Sequence, residues 1–150
     1  MLRDLGPAMN TFVAFLLLQG LETLSLRAAL ECCGAGSVRI IFLAAHPYVA
    51  WVSYLGQPEH PSHQLALATL RRGAFGGVIN FGVKGEASRA VDRLKLASNL
   101  ANLGDAKTLE EQRASGVQPD LVSVGIEDIS DIIADFDNAL RIAFEPPVPP

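Results

Sequence analysis

The sequence predicts an α+β domain with one mixed sheet of about four strands and helices mainly on one face. A buried strand pattern from Leu121 to Ile126 runs directly into an amphipathic helix that extends to Phe144. Two further runs, Val49–Leu55 and Gly76–Val83, have the length and composition of strands. A strand that continues into an amphipathic helix needs other strands to pair with and a sheet face to cover, so these runs are assigned to one sheet.

The last helix has both a start signal and a consistent apolar period. Glu127, Asp128 and Ser130 offer a capping side chain and acidic residues where the helix dipole favours them. Apolar residues then recur at three- and four-residue spacing, which places them on one helix face. That face contains Ile129, Ile132, Ile133, Phe136, Leu140 and Phe144, and the opposite side contains Asp131, Asp135, Asn138 and Arg141.

The N-terminal part predicts an apolar linker helix that leads into the domain. Asn10 or Thr11 can cap it, and Phe12–Leu18 is an unbroken apolar run. A membrane span needs about 20 such residues, so a buried core helix is the favoured interpretation. The segment 28–39 is atypical, because it combines paired cysteines and two glycines without an amphipathic period.

The remaining elements are short. They are a helix at Gln64–Leu70, a helix at Glu86–Arg93, a strand beginning at Leu94–Ala97, a polar turn at Ser98–Asp105, and a charged connector at Glu110–Gly116. The predicted organisation is a linker-helix region at 1–45, a small domain at 46–144, and a disordered proline-rich tail at 145–150.

Composition excludes several classes of function. The formal net charge is -4, and no basic run interleaved with aromatic residues occurs, which argues against nucleic acid or an anionic membrane as the main partner. The two cysteines, Cys32 and Cys33, are adjacent and cannot form a long-range disulfide framework. They indicate a reducing compartment, and no secretory signal pattern is present, so we expect a cytoplasmic protein.

Few residues outside the sheet suggest chemistry. His46, His60 and His63 could in principle bind a metal, but no helix aligns them and no cysteine or carboxylate pair completes a ligand set, so surface turns are favoured. The cysteine pair as a redox centre is disfavoured because a vicinal disulfide is strained. The polar string after Ala97 is typical of a surface turn, and it is also what a small-molecule site at a strand end requires.

Five consecutive blocks of the chain resemble one known family. They are residues 2–27, 46–56, 73–85, 94–109 and 123–140, and they are similar to the C-terminal part of the Cys/Met-metabolism pyridoxal-phosphate (PLP) enzymes. The string Ala101–Lys107 most resembles the O-acetylhomoserine sulfhydrylase, or homocysteine synthase, branch. The resemblance implies the small C-terminal domain of a fold-type I enzyme, an amino-acid substrate, and PLP as electron sink in the transsulfuration of homocysteine and methionine biosynthesis.

The resemblance also implies site residues, and the chain departs from the family at others. Asn102 matches the family's substrate-carboxylate contact, and Thr108 matches a nearby active-site Ser/Thr. Capping of a turn is at least as good an account of both side chains. The family has an arginine before its last helix where this chain reads Leu121 to Gly125 without one, and a loop of the His-Pro-Ala-Ser-Thr-Thr-His type is absent after Leu109.

No lysine in the chain matches the family's Schiff-base lysine, so the sequence predicts no catalytic or cofactor-binding residue of its own. The expected function is therefore that of a fragment or shortened sulfhydrylase that is inactive alone. The alternative is a non-catalytic interaction module, which would use Phe12–Leu18 to form a homo-oligomer or to bind a full-length relative. A degenerate gene product, suggested by the atypical segment 28–39, is a third hypothesis.

Overall fold

A computed structural model describes residues 6, 8–38, 42–71, 73–100, 102–111 and 120–144. Within these residues the chain forms one sheet, several helices and a short 3₁₀ turn at Leu43–Ala45. In chain order the elements are α1 (Thr11–Glu22), α2 (Leu24–Ser37), β1 (Val49–Ser53), α3 (His63–Thr69), β2 (Val78–Val83), α4 (Ser88–Val91), β3 (Ser98–Asn99), β4 (Leu109–Glu111), β5 (Asp120–Ser123) and α5 (Ile129–Phe144).

The sheet is mixed, as predicted, but it has five strands rather than about four. Its order is β1-β2-β5-β4-β3, and all neighbours are antiparallel except the parallel pair β3 and β4. The additional strand is β4, whose second residue, Glu110, was predicted to lie in a charged connector. Glu110 instead pairs with Val122 and is 1% exposed. Sheet pairing with a distant strand therefore overrides the polar local pattern.

The core lies between the central strands and α5. Ile79 and Phe81 alternate inward along β2, and both are buried. The ring of Phe81 meets the ring of Phe136 on α5 edge to face, with centroids 6.3 Å apart. Full burial of such a side chain is worth about 1.5–3 kcal/mol relative to an exposed one. The predicted apolar face of α5 is confirmed, since Ile132, Phe136 and Leu140 are buried and Ile129, Ile133 and Phe144 pack at the margin.

Asp135 was predicted on the polar side of α5, but its carboxylate has a structural role. Its two oxygens accept hydrogen bonds from the backbone N–H groups of Lys95 (2.9 Å), Leu96 (2.8 Å) and Ala97 (3.0 Å). These amides are therefore not available to a sheet ladder. This is why the strand predicted to begin at Leu94–Ala97 is found only at Ser98–Asn99.

The N-terminal helix is present as predicted, with the side chain of Asn10 accepting a hydrogen bond from Val13 N–H at 2.9 Å. The prediction that it is buried is wrong for this chain. No residue of α1 is buried, and Phe12 and Leu18 remain 67% and 59% exposed. The helix is apolar on all sides, but among the described elements it packs mainly against α2.

The atypical segment within 28–39 is helical up to Ser37 and belongs to α2. Its glycine at position 34 has a packing reason, because a Cβ there would lie 3.0 Å from Val124 Cγ1. Ala35 is fully buried beside it. The small residues of this segment therefore allow α2 to approach the end of β5 closely.

No single helix among the described residues is long and apolar enough to cross a membrane. The pair α1 and α2 meets the length and composition criteria only together, and it is bent by 47° at the break. The predicted boundaries at 1–45 and 46–144 stay predictions. The predicted tail at 145–150 lies outside the described residues.

Candidate substrate-binding site

The two predicted site residues, Asn102 and Thr108, lie on the loop between β3 and β4. This loop packs against the connection from β5 to α5, and residues 102–108 and 123–127 together are named the junction site here. Gly104 N–H donates to Ser123 Oγ at 3.3 Å, and Ile126 N–H donates to the carbonyl oxygen of Ala106 at 3.0 Å. One backbone–side-chain and one backbone–backbone hydrogen bond thus hold the two segments together.

Thr108 is fully buried and takes part in three hydrogen bonds within the junction site. Its N–H donates to Glu127 Oε1 at 2.7 Å, and its hydroxyl donates to Glu127 Oε2 at 2.8 Å. The same hydroxyl accepts from Gly125 N–H at 3.0 Å. Its hydroxyl proton and one oxygen lone pair are therefore engaged within the chain.

Asn102 is exposed, and its hydrogen bonds are local. Its Nδ2 donates to Asp105 Oδ2 at 3.2 Å, and its Oδ1 accepts from Leu103 N–H at 3.1 Å. Asp105 in turn accepts from Lys107 N–H at 3.1 Å. Asn102 and Thr108 thus belong to one loop, but the side-chain hydrogen bonds of the two residues go to different partners.

Gly125 explains the close approach of the two segments. A Cβ at this position would lie 2.6 Å from the carbonyl oxygen of Ala106, which is closer than real Cβ contacts. Only glycine therefore lets the β5–α5 connection lie directly on the loop. The sequence contained the glycine, but no local signal linked it to the loop. Gly125 and Thr108, which share a hydrogen bond, are 17 positions apart in the sequence.

The helix α2 contributes negative charge beside this loop. Glu31 lies close to Gly77, whose hypothetical Cβ would be 3.0 Å from Glu31 Cβ. Burial raises the pKa of the Glu31 carboxyl, Arg27 lowers it, and the negative charge of Asp105 raises it. The negative charge of Asp105 therefore acts on the Glu31 carboxyl, a coupling that the sequence did not reveal.

The junction site as it stands is poorly suited to an α-carboxylate. Its acidic residues are Asp105 and Glu127, and Lys107 is the single basic residue of its two segments. Ser123, in the strand where the resemblance implies an arginine in the family, is 2% exposed and uses its hydroxyl as an acceptor for Gly104. A serine hydroxyl cannot supply the planar pair of donors with which arginine holds both carboxylate oxygens.

The three histidines each have a separate partner. His46 Nε2 lies 3.4 Å from Asp137 Oδ1, His63 Nδ1 lies 2.9 Å from the carbonyl oxygen of Leu55, and His60 Nδ1 accepts from Ser62 N–H at 3.1 Å. Within the part of the chain that the structure describes, no three side chains of the metal-ligating types come together.

Comparison with known proteins identifies the family. The profile of the Cys/Met metabolism PLP-dependent enzymes matches residues 1–141 of the chain. The chain belongs to this family. Its α+β fold agrees, since the structure superimposes on a provisionally named O-acetylhomoserine (thiol)-lyase of Campylobacter jejuni with a TM-score of 0.82 at 34% identity, over 93% of this chain.

Sequence relatives of this family member are enzymes of sulfur metabolism. The homocysteine/cysteine synthase of Kluyveromyces lactis is 47% identical over 174 residues, which is 96% of this chain and 38% of that protein. The homocysteine synthase of Schizosaccharomyces pombe is 49% identical, over 95% of this chain and 37% of that protein. The chain thus spans less than two-fifths of the length of these relatives.

The alignment with the Kluyveromyces lactis enzyme is longer than the chain itself. It extends over 174 positions, whereas the chain has 150 residues. The relative therefore has residues inside the matched region that have no counterpart here.

The family is PLP-dependent, and the C. jejuni structure carries an N'-pyridoxyl-lysine-5'-monophosphate. A Schiff-base lysine is normally desolvated or placed near other cations so that its amine can be neutral. The chain has three lysines, Lys84, Lys95 and Lys107, and all are exposed. Lys84 Nζ donates to the carbonyl oxygen of Pro47 at 2.8 Å. These residues do not fit the covalent attachment of the cofactor.

Proposed function

We propose that this chain is the C-terminal domain, or a shortened form, of a PLP-dependent O-acetylhomoserine sulfhydrylase. That enzyme class replaces the acetyl group of O-acetylhomoserine with sulfide. The observation that carries the proposal is the match of almost the whole chain, at 47–49% identity, to enzymes named homocysteine synthase. We place the function in the cytoplasm because the adjacent cysteines, Cys32 and Cys33, are both free.

We further propose that these 150 residues do not catalyse the reaction alone. All three lysines are exposed, which does not favour the neutral amine that Schiff-base chemistry needs. Ser123 lies in the strand in which the family has its carboxylate-binding arginine, and its hydroxyl oxygen accepts a hydrogen bond from Gly104 N–H. Asn102 and Thr108, which match substrate contacts of the family, are the candidate binding residues that remain.

The first test is the intact mass, in an extract of the source cells, of the protein that carries the Leu121–Phe144 peptide. A species near 16.0 kDa would support a short chain with a function of its own. A much longer species would support a complete enzyme that contains this domain.

The second test is sulfide-dependent homocysteine formation by the purified chain with added PLP. We expect no product above the rate without protein, and the S. pombe enzyme serves as the positive control. Homocysteine formation by the chain that saturates with O-acetylhomoserine would contradict the proposed inactivity.

A second candidate function, association with a full-length relative, is favoured by the exposure of α1. A helix that is apolar on every side is normally surrounded by protein or lipid. A protein partner is the better match, because α1 has 12 residues, about 18 Å of helix, and no basic residue to attract anionic lipid. The relatives contain a further three-fifths of chain that this one lacks.

This candidate function is tested by co-expressing the tagged chain with the S. pombe homocysteine synthase. We expect co-purification with the wild-type chain, and its loss in a Phe15→Glu, Leu18→Glu variant. The matched control is Leu65→Glu on α3, a residue that is 65% exposed outside α1. A chain that stays monomeric and is not captured, that only self-associates, or that binds only lipid vesicles would contradict it.

A further inference from the structure

The break between α1 and α2 sets the direction of the exposed N-terminal helix. Thr23 alone separates the two helices, which are bent by 47° relative to each other. Its backbone has φ -104° and ψ 2°, outside the α-helical region, and its N–H donates to the carbonyl oxygen of Leu21 rather than to the residue four positions back. Among the described elements α1 packs mainly against α2, so the orientation of α1 depends on this break.

The side chain of Arg27 bridges the break. Gly20 lies in the last turn of α1, where the carbonyl groups lack a donor within their own helix. Arg27 Nη1 donates to the carbonyl oxygen of Gly20 at 3.0 Å, and it also donates to Thr23 Oγ1. One guanidinium nitrogen from α2 therefore holds both the end of α1 and the residue that links the helices.

The charge of Arg27 suits the end of α1 and not the start of α2. α1 has no basic residue of its own in its last turn, so Arg27 supplies the cation that a helix C-terminus favours. Within α2, Arg27 lies in the first turn, where a positive charge is unfavourable for that helix. The charge and the hydrogen bonds both indicate that Arg27 acts between the two helices rather than within α2.

We propose that Arg27 is a clasp that fixes the bend and thereby holds α1 as an arm in one orientation. Without the guanidinium, the Gly20 carbonyl is left to accept from Leu24 N–H, its donor in a continuous helix, and the two helices straighten or move relative to each other. A fixed arm lowers the entropic cost of docking α1 on a partner. This use of the bend rests on the proposed association with a full-length relative, whereas the clasp itself does not.

The clasp is tested by double electron–electron resonance on the full 150-residue chain, with both native cysteines replaced by serine. Spin labels are attached at Phe12→Cys on α1 and Asn138→Cys on α5, two exposed positions. Phe12 lies about 16 Å from Thr23 along the helix, so straightening the 47° bend displaces it by up to about 13 Å. In Arg27→Met we expect a distance distribution that is shifted or broadened by several ångströms.

Methionine is chosen because it forms helices as well as arginine does but has no N–H donor. Arg93→Met is the matched control, since it removes an exposed arginine outside α1 and α2. Its distance distribution should equal that of the labelled parent chain. Both variants should keep the parent's urea midpoint, because neither arginine belongs to the core. An unchanged distance distribution in Arg27→Met would overturn the clasp.

Co-purification with the S. pombe homocysteine synthase tests whether binding uses the bend. If α1 binds in its bent orientation, the yield with Arg27→Met should fall several-fold relative to Arg93→Met. Equal yields together with a changed distance distribution would overturn the role of the bend in binding. If the wild-type chain is not captured, the proposed association fails, and the distance measurement on the chain alone still decides the clasp.

Discussion

Thr108 and Glu127 show at the scale of single residues how a candidate substrate contact can also hold the fold together. Replacing Thr108 with Val keeps the side-chain shape but removes the hydroxyl that bridges Glu127 and Gly125. We expect a loss of about 1–3 kcal/mol in the free energy of unfolding, because a buried N–H and a carboxylate oxygen lose their partner. Urea denaturation measures this loss.

The matched control is Thr69→Val on α3, whose hydroxyl donates to the carbonyl oxygen of Leu65 on the exposed surface. It should change stability by less than about 0.5 kcal/mol. Equal effects of the two substitutions would show that the buried network around Thr108 does not stabilise the domain.

The burial of His46 leads us to expect that the stability of the fold depends on pH. It is 8% exposed, and Tyr48 N–H points at its Nδ1, so the neutral ring carries its proton on Nε2, which faces Asp137. Burial lowers the pKa of His46, Asp137 opposes this shift, and Arg141 adds to it. Below the ordinary pKa the unfolded chain binds a proton more readily than the folded one. Stability should therefore fall as the pH falls from about 7 to about 5.

The measurement is a series of urea titrations across this pH range for the wild type and for His46→Asn, in which an amide oxygen can replace Nδ1 as acceptor. The variant should lose part of the decline in unfolding free energy. If its decline is as steep as that of the wild type, other groups cause the acid sensitivity.

At the scale of elements, the Asp135 carboxylate on α5 fixes the backbone of residues 95–97, which are distant in sequence. Asp135→Asn leaves an amide that can accept on one atom only, whereas the native carboxylate accepts three backbone N–H groups on two oxygens. We expect a loss of about 1–3 kcal/mol in stability and faster hydrogen exchange at the amides of Lys95, Leu96 and Ala97.

Asp131→Asn is the matched control, because Asp131 is an exposed residue in the first turn of the same helix. Its effect should be limited to a few tenths of a kcal/mol from the helix dipole, with exchange at residues 95–97 unchanged. Unaltered exchange in Asp135→Asn would mean that the carboxylate does not hold the segment.

At the scale of the whole molecule, we expect α1 to contribute little to the stability of this chain. The double substitution Phe15→Ser, Leu18→Ser should leave the unfolding free energy within about 0.5 kcal/mol of wild type, because both side chains are more than half exposed. Ile132→Ala in α5, at a fully buried position, should lose about 2–5 kcal/mol. Chemical denaturation of both variants tests the contrast, and a large loss in the α1 variant would contradict it.

The sequence by itself determined the elements whose signals are local. The apolar period of α5, the strand composition of β2 and the Asn10 cap of α1 each depend on residues within a few positions of one another, and the structure has all three elements. The family was also readable from the sequence, since motifs in order along the chain carried it, and the profile match confirmed it.

Tertiary structure alone decided the features that join residues far apart. Glu110 enters the sheet because it pairs with Val122, and Thr108 is buried because Glu127 reaches it across 19 positions. The exposure of α1 was likewise not visible in its composition, because an apolar helix has the same sequence whether or not a partner covers it. Burial is a property of what packs against a residue, and only the folded chain shows which neighbours are present.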